Sequence, residues 1–186
     1  MEVATYILFG LGCLGATDIA LYHSFSHGIR SHPDSRAELV VHSLRGPTYA
    51  TLFLVIPNLV LQGFYFWCLL ALLAFDVVIS IVDFALERES RRLLGGLPSG
   101  EYVLHIIIAM LFGGLVTAVC LEAGVWRSLP AQIAYAPAAV PDVLRLVMAV
   151  MALLVLISGI QDAIAARKLY AVPLRGGGDE NPTIVN

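Results

Sequence analysis

Residues 64–87 read FYFWCLLALLAFDVVISIVDFALE, an apolar run interrupted only by Asp76, Asp83 and the closing Glu87. An α-helix of about 20 residues crosses roughly 30 Å of hydrocarbon, so this run can span a bilayer. Four other stretches share its character, at roughly 3–24, 38–61, 101–123 and 142–165. The chain has too few charges for a water-facing surface. Only 13% of its 186 residues are charged and 59% are hydrophobic, against roughly 25% charged in an average soluble domain. Backbone amides find no water partner in lipid, which favours helices as the spanning element. The period-2 alternation of a membrane barrel is absent. The expected fold is an all-α integral membrane protein with five transmembrane helices. The N-terminus lacks a basic region, so the first run reads as a retained helix rather than a cleaved signal.

Basic residues set the expected orientation. Arg30, Arg36, Arg88, Arg91, Arg92, Arg167, Lys168 and Arg175 fall on one side of a five-helix topology, and Arg127 and Arg145 on the other. By the positive-inside rule the N-terminus is then outside and the C-terminus cytoplasmic. Location in the bacterial inner (plasma) membrane is the matching expectation. Residues 1–170 form one transmembrane domain, and 171–186, RGGG-containing and polar, are expected to be a disordered cytoplasmic tail. The uncharged turn 57–64 is tight. The stretch 126–142, with Pro130, Pro137 and Pro141, is expected to run along the outer interface with a short helical turn.

Two motifs carry little chemistry. Cys13, Cys68 and Cys120 all sit in apolar runs, as small buried hydrophobes would. Gly10, Gly12 and Gly15 spell GxGxxG, but inside a spanning helix rather than between a strand and a helix, where a dinucleotide site needs it. The small-xxx-small pairs Gly12/Ala16 and Gly114/Ala118 predict close helix packing instead.

The polar residues are far more suggestive. Four of the five histidines lie in LYHSFSHGIRSHPDSRAELVVH, residues 21–42. The topology divides this cluster. His23 and His27 close the first helix, His32 falls in the loop, and Glu38 and His42 open the second. Asp83 and Glu87 close the third helix, and Glu101 and His105 open the fourth. Each pair is spaced i, i+4 and shares a helix face. All eight groups fall near one membrane boundary, so helices one to four are expected to form a bundle with a polar cytoplasmic end.

The pattern ExxxH occurs twice, as Glu38–His42 and Glu101–His105. Inward-facing carboxylates and histidines on a four-helix bundle are a common way to build dinuclear metal sites. The ferritin-like version spaces its pair by three rather than four, so this is a different motif. The expected ligand set is His23, Glu38, His42, Asp83, Glu87, Glu101 and His105, shared between more than one shell. Asp18, Arg45 and Asp76 lie deeper and are candidates for supporting contacts or a proton path. Arg45 needs an anion, for which Asp18, Asp76 or Asp83 would serve, and Gly46–Pro47 should kink helix two beside it. Each carboxylate also has a plainer role. Glu38 completes a capping box with Ser35, Glu101 sits in a first helical turn, Glu89 can pair with nearby arginines, and Asp162 can pair with Arg167 or Lys168.

A divalent metal is the expected cofactor, with iron, as a dinuclear pair, favoured over zinc because carboxylates outnumber imidazoles. The expected function is a membrane enzyme, an oxidoreductase or a hydrolase, acting on a lipid-phase small molecule. Its partners are the bilayer and that substrate, with no nucleic acid, and a homo-oligomer or larger membrane complex is compatible. The alternative is non-enzymatic: an ion or proton conductor, a subunit binding haem through His42 and His105, or a scaffold subunit. CxxC, HExxH, GxSxG and P-loop motifs are absent, and five histidines fall short of the histidine boxes of membrane desaturases and hydroxylases.

Overall fold

The computed structural model describes residues 1–26, 29–92, 96 and 98–170, with the side chains of 23–26 and 87–92 outside that description. Helix α1 (Glu2–Asp18) continues as a π-helix over Ile19–Ser26. Two short 3₁₀ turns, Ile29–Ser31 and Pro33–Ser35, lead into α2 (Arg36–Val55). Strand β1 (Leu59–Gln62) precedes α3 (Phe64–Arg92) and α4 (Ser99–Ala123). A 3₁₀ turn, Gly124–Ser128, and strand β2 (Gln132–Tyr135) lead to α5 (Asp142–Tyr170). The expected tail, 171–186, lies outside the described residues.

Among the described residues, four helical stretches are long and apolar enough to cross a membrane: Glu2–Tyr22, Phe64–Leu86, Ser99–Ser128 and Asp142–Tyr170. Their outward faces carry Trp67, Ile81, Met110, Leu121 and Leu153, all exposed, as suits contact with lipid rather than water. Helix α2 differs, because Arg36, Glu38, His42 and Arg45 crowd its first half. It packs along both α3 and α5, while α1 packs along α4. The apolar core joins these groups through Leu8, Leu11, Phe53, Leu73, Leu115 and Met148.

The second apolar run does not end as its composition suggests. The expected helix reached residue 61, but α2 stops at Val55 and Leu59–Gln62 is a strand. It pairs antiparallel with Gln132–Tyr135, Leu59 opposite Tyr135 and Gln62 opposite Gln132. Its hydrogen-bond partner lies some seventy positions away, so local periodicity carries no sign of it. Gly63 then turns the chain into α3 with φ +56, and its N–H donates to the Trp126 carbonyl at 2.8 Å. A side chain there would meet the Leu129 carbonyl oxygen at 2.6 Å, so glycine is required on two counts. At the same end, Glu122 of α4 accepts the backbone N–H groups of Val3 and Ala4, each at 3.0 Å. These first-turn amides lack helical acceptors, so the carboxylate caps them and anchors α1 against α4.

The backbones of α2 and α5 approach closely. A Cβ on Gly46 would come within 2.9 Å of the Gly159 Cα, and a Cβ on Gly159 would meet the Ser43 carbonyl oxygen at 3.3 Å. Pro47 deprives that same carbonyl of its usual N–H donor, and the bare Gly159 backbone packs onto it. The helix nevertheless runs through Pro47. The predicted small-residue contacts are met in part. An added Cβ at Gly12 would collide with Met151 and Phe53, whereas at Gly114 it would find only Ile7 Cδ1, at 3.9 Å. Gly159→Leu is therefore expected to cost about 1–3 kcal/mol by forcing α2 and α5 apart. Gly113→Leu, where a Cβ meets nothing within 4 Å, should be near neutral. Equal denaturation midpoints in detergent for the two variants would show that the Gly46–Gly159 contact is dispensable.

Candidate metal centre

The first loop and the end of α5 meet at one end of the molecule. Arg30 Nε donates to Asp162 Oδ1 at 2.6 Å and its Nη2 to Ser158 Oγ at 3.0 Å. The Arg36 guanidinium lies 4.1 Å from the Tyr170 ring centroid. The expected pairing of Asp162 with Arg167 or Lys168 is thus replaced. Residues five and six positions on point well away around a helix of 3.6 residues per turn, whereas Arg30 reaches Asp162 from the loop.

At this end the two ExxxH pairs are each completed by an aspartate from a neighbouring helix. Donor atoms of Glu38, His42 and Asp83 lie within 4.8 Å of one another, and so do those of Asp18, Glu101 and His105. In the first triad, His42 Nε2 is 3.2 Å from Asp83 Oδ1. In the second, His105 Nε2 is 3.3 Å from Asp18 Oδ2. The two histidines thus stand in matching roles, one between α2 and α3 and the other between α4 and α1.

Burial separates capping from the alternative. Glu38 is 1% exposed and Glu101 0%. A carboxylate serving only the helix dipole gains from staying near water, so full enclosure beside a histidine and an aspartate needs another cause. Neither α2, which begins after Ser35, nor α4, which begins after Pro98, has a side-chain hydrogen bond from its N-cap residue. The Ser35 half of the expected capping box is therefore not formed.

Arg45 lies one turn beyond His42 and binds the same aspartate from the other side. Its Nη1 donates to Asp83 Oδ2 at 2.8 Å and its Nη2 to Ser80 Oγ at 2.6 Å, while Nε is 3.8 Å from Asp76 Oδ1. Tyr49 OH donates to Asp76 Oδ2 at 3.2 Å. Asp76, Ser80 and Asp83 recur every three to four residues along α3, the spacing of one helix face. Sequence reasoning named the two aspartates and missed Ser80 and Tyr49, although that spacing was available for Ser80. It also missed Phe84, whose ring stacks on His105 with centroids 5.3 Å apart.

Asp18, expected among the deeper residues that give supporting contacts or a proton path, has a carboxylate oxygen within 4.8 Å of donor atoms of Glu101 and His105. Helix α1 ends at Asp18, and Ile19–Ser26 continue it as π turns, which often mark functional sites. The side chains of His23, His27 and Glu87 lie outside the described residues. His32 stands in the loop before Pro33, apart from both triads, as expected.

No protein-family model, curated protein or solved structure matches this chain.

Proposed function

We propose that this chain is a five-helix integral membrane protein, N-terminus outside and C-terminus cytoplasmic, that binds divalent metal at the two Asp–Glu–His triads and acts on a lipid-phase substrate. The observation that carries the metal reading is the paired construction itself: two ExxxH pairs with fully buried glutamates, each meeting an aspartate from another helix within 4.8 Å. One carboxylate from each of two helices and a Glu–His pair from each of two others is the division of labour in dinuclear four-helix centres. The spacing of four instead of three marks a different solution to the same problem.

The donor chemistry fits a hard or borderline cation. Four carboxylates and two imidazoles suit iron or manganese better than a thiolate-preferring metal, and the oxygen-rich set favours iron over zinc. Enclosing this many ionisable groups beside lipid is expensive, and a bound cation offsets much of that cost. Iron held there supplies redox chemistry, whereas zinc supplies a Lewis acid for hydrolysis. The chain's own residues have definite tasks. Arg45, itself anchored by Ser80, holds Asp83 in position, Phe84 covers one face of His105, and Glu38 and Glu101 keep the charge on the ligand side.

Helix α2 as a fifth span is supported by its packing between α3 and α5, with Leu44 and Leu54 exposed on its outer face and its polar groups turned inward. The orientation is supported by Arg30 and Arg36 lying against α5 near Arg167 and Lys168.

Purified protein, prepared without chelators, is expected to hold about one to two metal ions per chain by elemental analysis, and to release them as the pH falls because the ligands must be deprotonated. Finding no metal would sink the proposal. A second reading, a proton-conducting protein, is favoured by the chain Tyr49–Asp76–Arg45–Asp83–His42. Proton flux in vesicles containing the metal-free protein would favour it over the first.

A further inference from the structure

Beside the triads lies a cavity of about 480 Å³, bounded mainly by α1, α2 and α5. Its polar end is formed by Asp18, His42, Arg45 and His105, and its far end by Leu11, Phe53 and Met151, some two turns deeper. Ligand sites typically combine a mostly apolar wall with a few convergent polar groups in this volume range. The walls of α1 are made low by Gly12, Gly15 and Ala16. Ala16 and Ala20 on one side and Leu154 on the other line the cavity and are also exposed on the helix surfaces. The cavity therefore opens sideways, toward the surface that faces lipid.

We infer that this cavity admits a single-chain, uncharged amphiphile from the bilayer, a long-chain alcohol or aldehyde, with its oxygen at His42, His105 and Asp18 and its chain along α1 and α5. Volume limits the occupant. At roughly 30 Å³ per small group, the share of a water molecule in the liquid, the space holds about sixteen such groups. That matches one long chain, and the second chain of a two-chain lipid would have to stay outside. Charge sets the polar end. Asp18 lines the cavity, Glu38, Asp76, Asp83 and Glu101 are buried in the network beside it, and Arg45 pairs with Asp76 and Asp83. In ionised form they leave a negative excess that two divalent ions would at most balance, so an anionic headgroup meets no surplus positive charge. Arg30, at the cavity's boundary end, is already paired with Asp162. As a statement about substrate this inference rests on the proposed enzymatic function, but the binding itself needs no metal.

The test uses full-length protein in micelles and a hexadecanol bearing a diazirine. Photolabelling is expected on α1 and α5, and to be competed by hexadecanol but by neither palmitate nor a diacyl phosphatidylcholine. Gly15 lines the cavity and has nothing within 4 Å of an added Cβ, so Gly15→Phe is open at its Cβ and adds bulk beside the ligand space. It should weaken labelling roughly tenfold or more, about 1.4 kcal/mol, and retain whatever metal the wild type holds. Gly10 is equally open but lies outside the cavity, so Gly10→Phe should label like the wild type. Leu154→Trp, at the mouth, gives the same reading should Gly15→Phe fold poorly. Equal labelling of the wild type and both cavity variants would overturn the inference, as would competition by palmitate or phosphatidylcholine as effective as by hexadecanol. Gly15-dependent labelling of a protein that never holds metal would support the cavity and sink the metal proposal alone.

Discussion

Replacing His42 or His105 with alanine is expected to lower metal affinity by more than about 100-fold, since even groups that only orient ligands are worth about 10–100-fold. Each histidine is the sole described imidazole of its triad, so no described neighbour can take its place. The two variants also report how the triads share the work. If each triad holds its own ion, either substitution leaves the other triad loaded and roughly halves the metal content. If one centre draws on both, either substitution empties it. His32→Ala should change nothing, because His32 stands in the loop outside both triads. Identical behaviour of all three variants in elemental analysis would refute the ligand assignment.

Arg45→Ala should be among the most destabilising single changes in the protein. Asp83 is 4% exposed and Asp76 0%, and Arg45 is bonded to the first at 2.8 Å and lies 3.8 Å from the second. Removing one partner of a buried ion pair leaves an uncompensated charge, at a cost of about 3–5 kcal/mol. The deficit arises from stranded anions rather than from lost packing, so adding Asp83→Asn to Arg45→Ala should recover part of it. A double-mutant cycle on unfolding in detergent measures that coupling. A loss below about 1 kcal/mol for Arg45→Ala, or additive effects in the cycle, would mean that water reaches this network and that the pair is only superficially buried. Arg45→Ala should also loosen Asp83 as a ligand, so metal content in the same samples links the stability effect to the proposed site.

Much of the scaffold was legible before any coordinates. The apolar runs marked the four long helices, because crossing a membrane demands about 20 apolar residues whatever the fold. The i, i+4 spacing put Glu38 with His42 and Glu101 with His105, a purely local consequence of helix geometry. Arg45 was expected to need one of three aspartates, and it engages two of them. The failures share a cause. The strand at Leu59–Gln62, the Gly46–Gly159 contact and the Arg30–Asp162 pair each depend on a partner far along the chain. None leaves a periodic trace in its own neighbourhood. Asp18 reaches His105 and Glu101 for the same reason, because α1 packs along α4, far along the chain.

What the amino-acid sequence determined by itself was a helical chain with runs long and apolar enough to cross a membrane and two Glu–His pairs on helix faces, since hydrophobic length and helical pitch are properties of neighbouring residues. Only the tertiary structure decided which aspartate completes each pair. Asp18 meets His105 across 87 positions, and Asp83 meets His42 because α2 packs along α3 rather than α1. Helix spacing can bring several carboxylates to one depth in a membrane. Which of them come within 4.8 Å of a histidine depends on the order in which helices pack, and that order is set by contacts such as the glycine seam between α2 and α5.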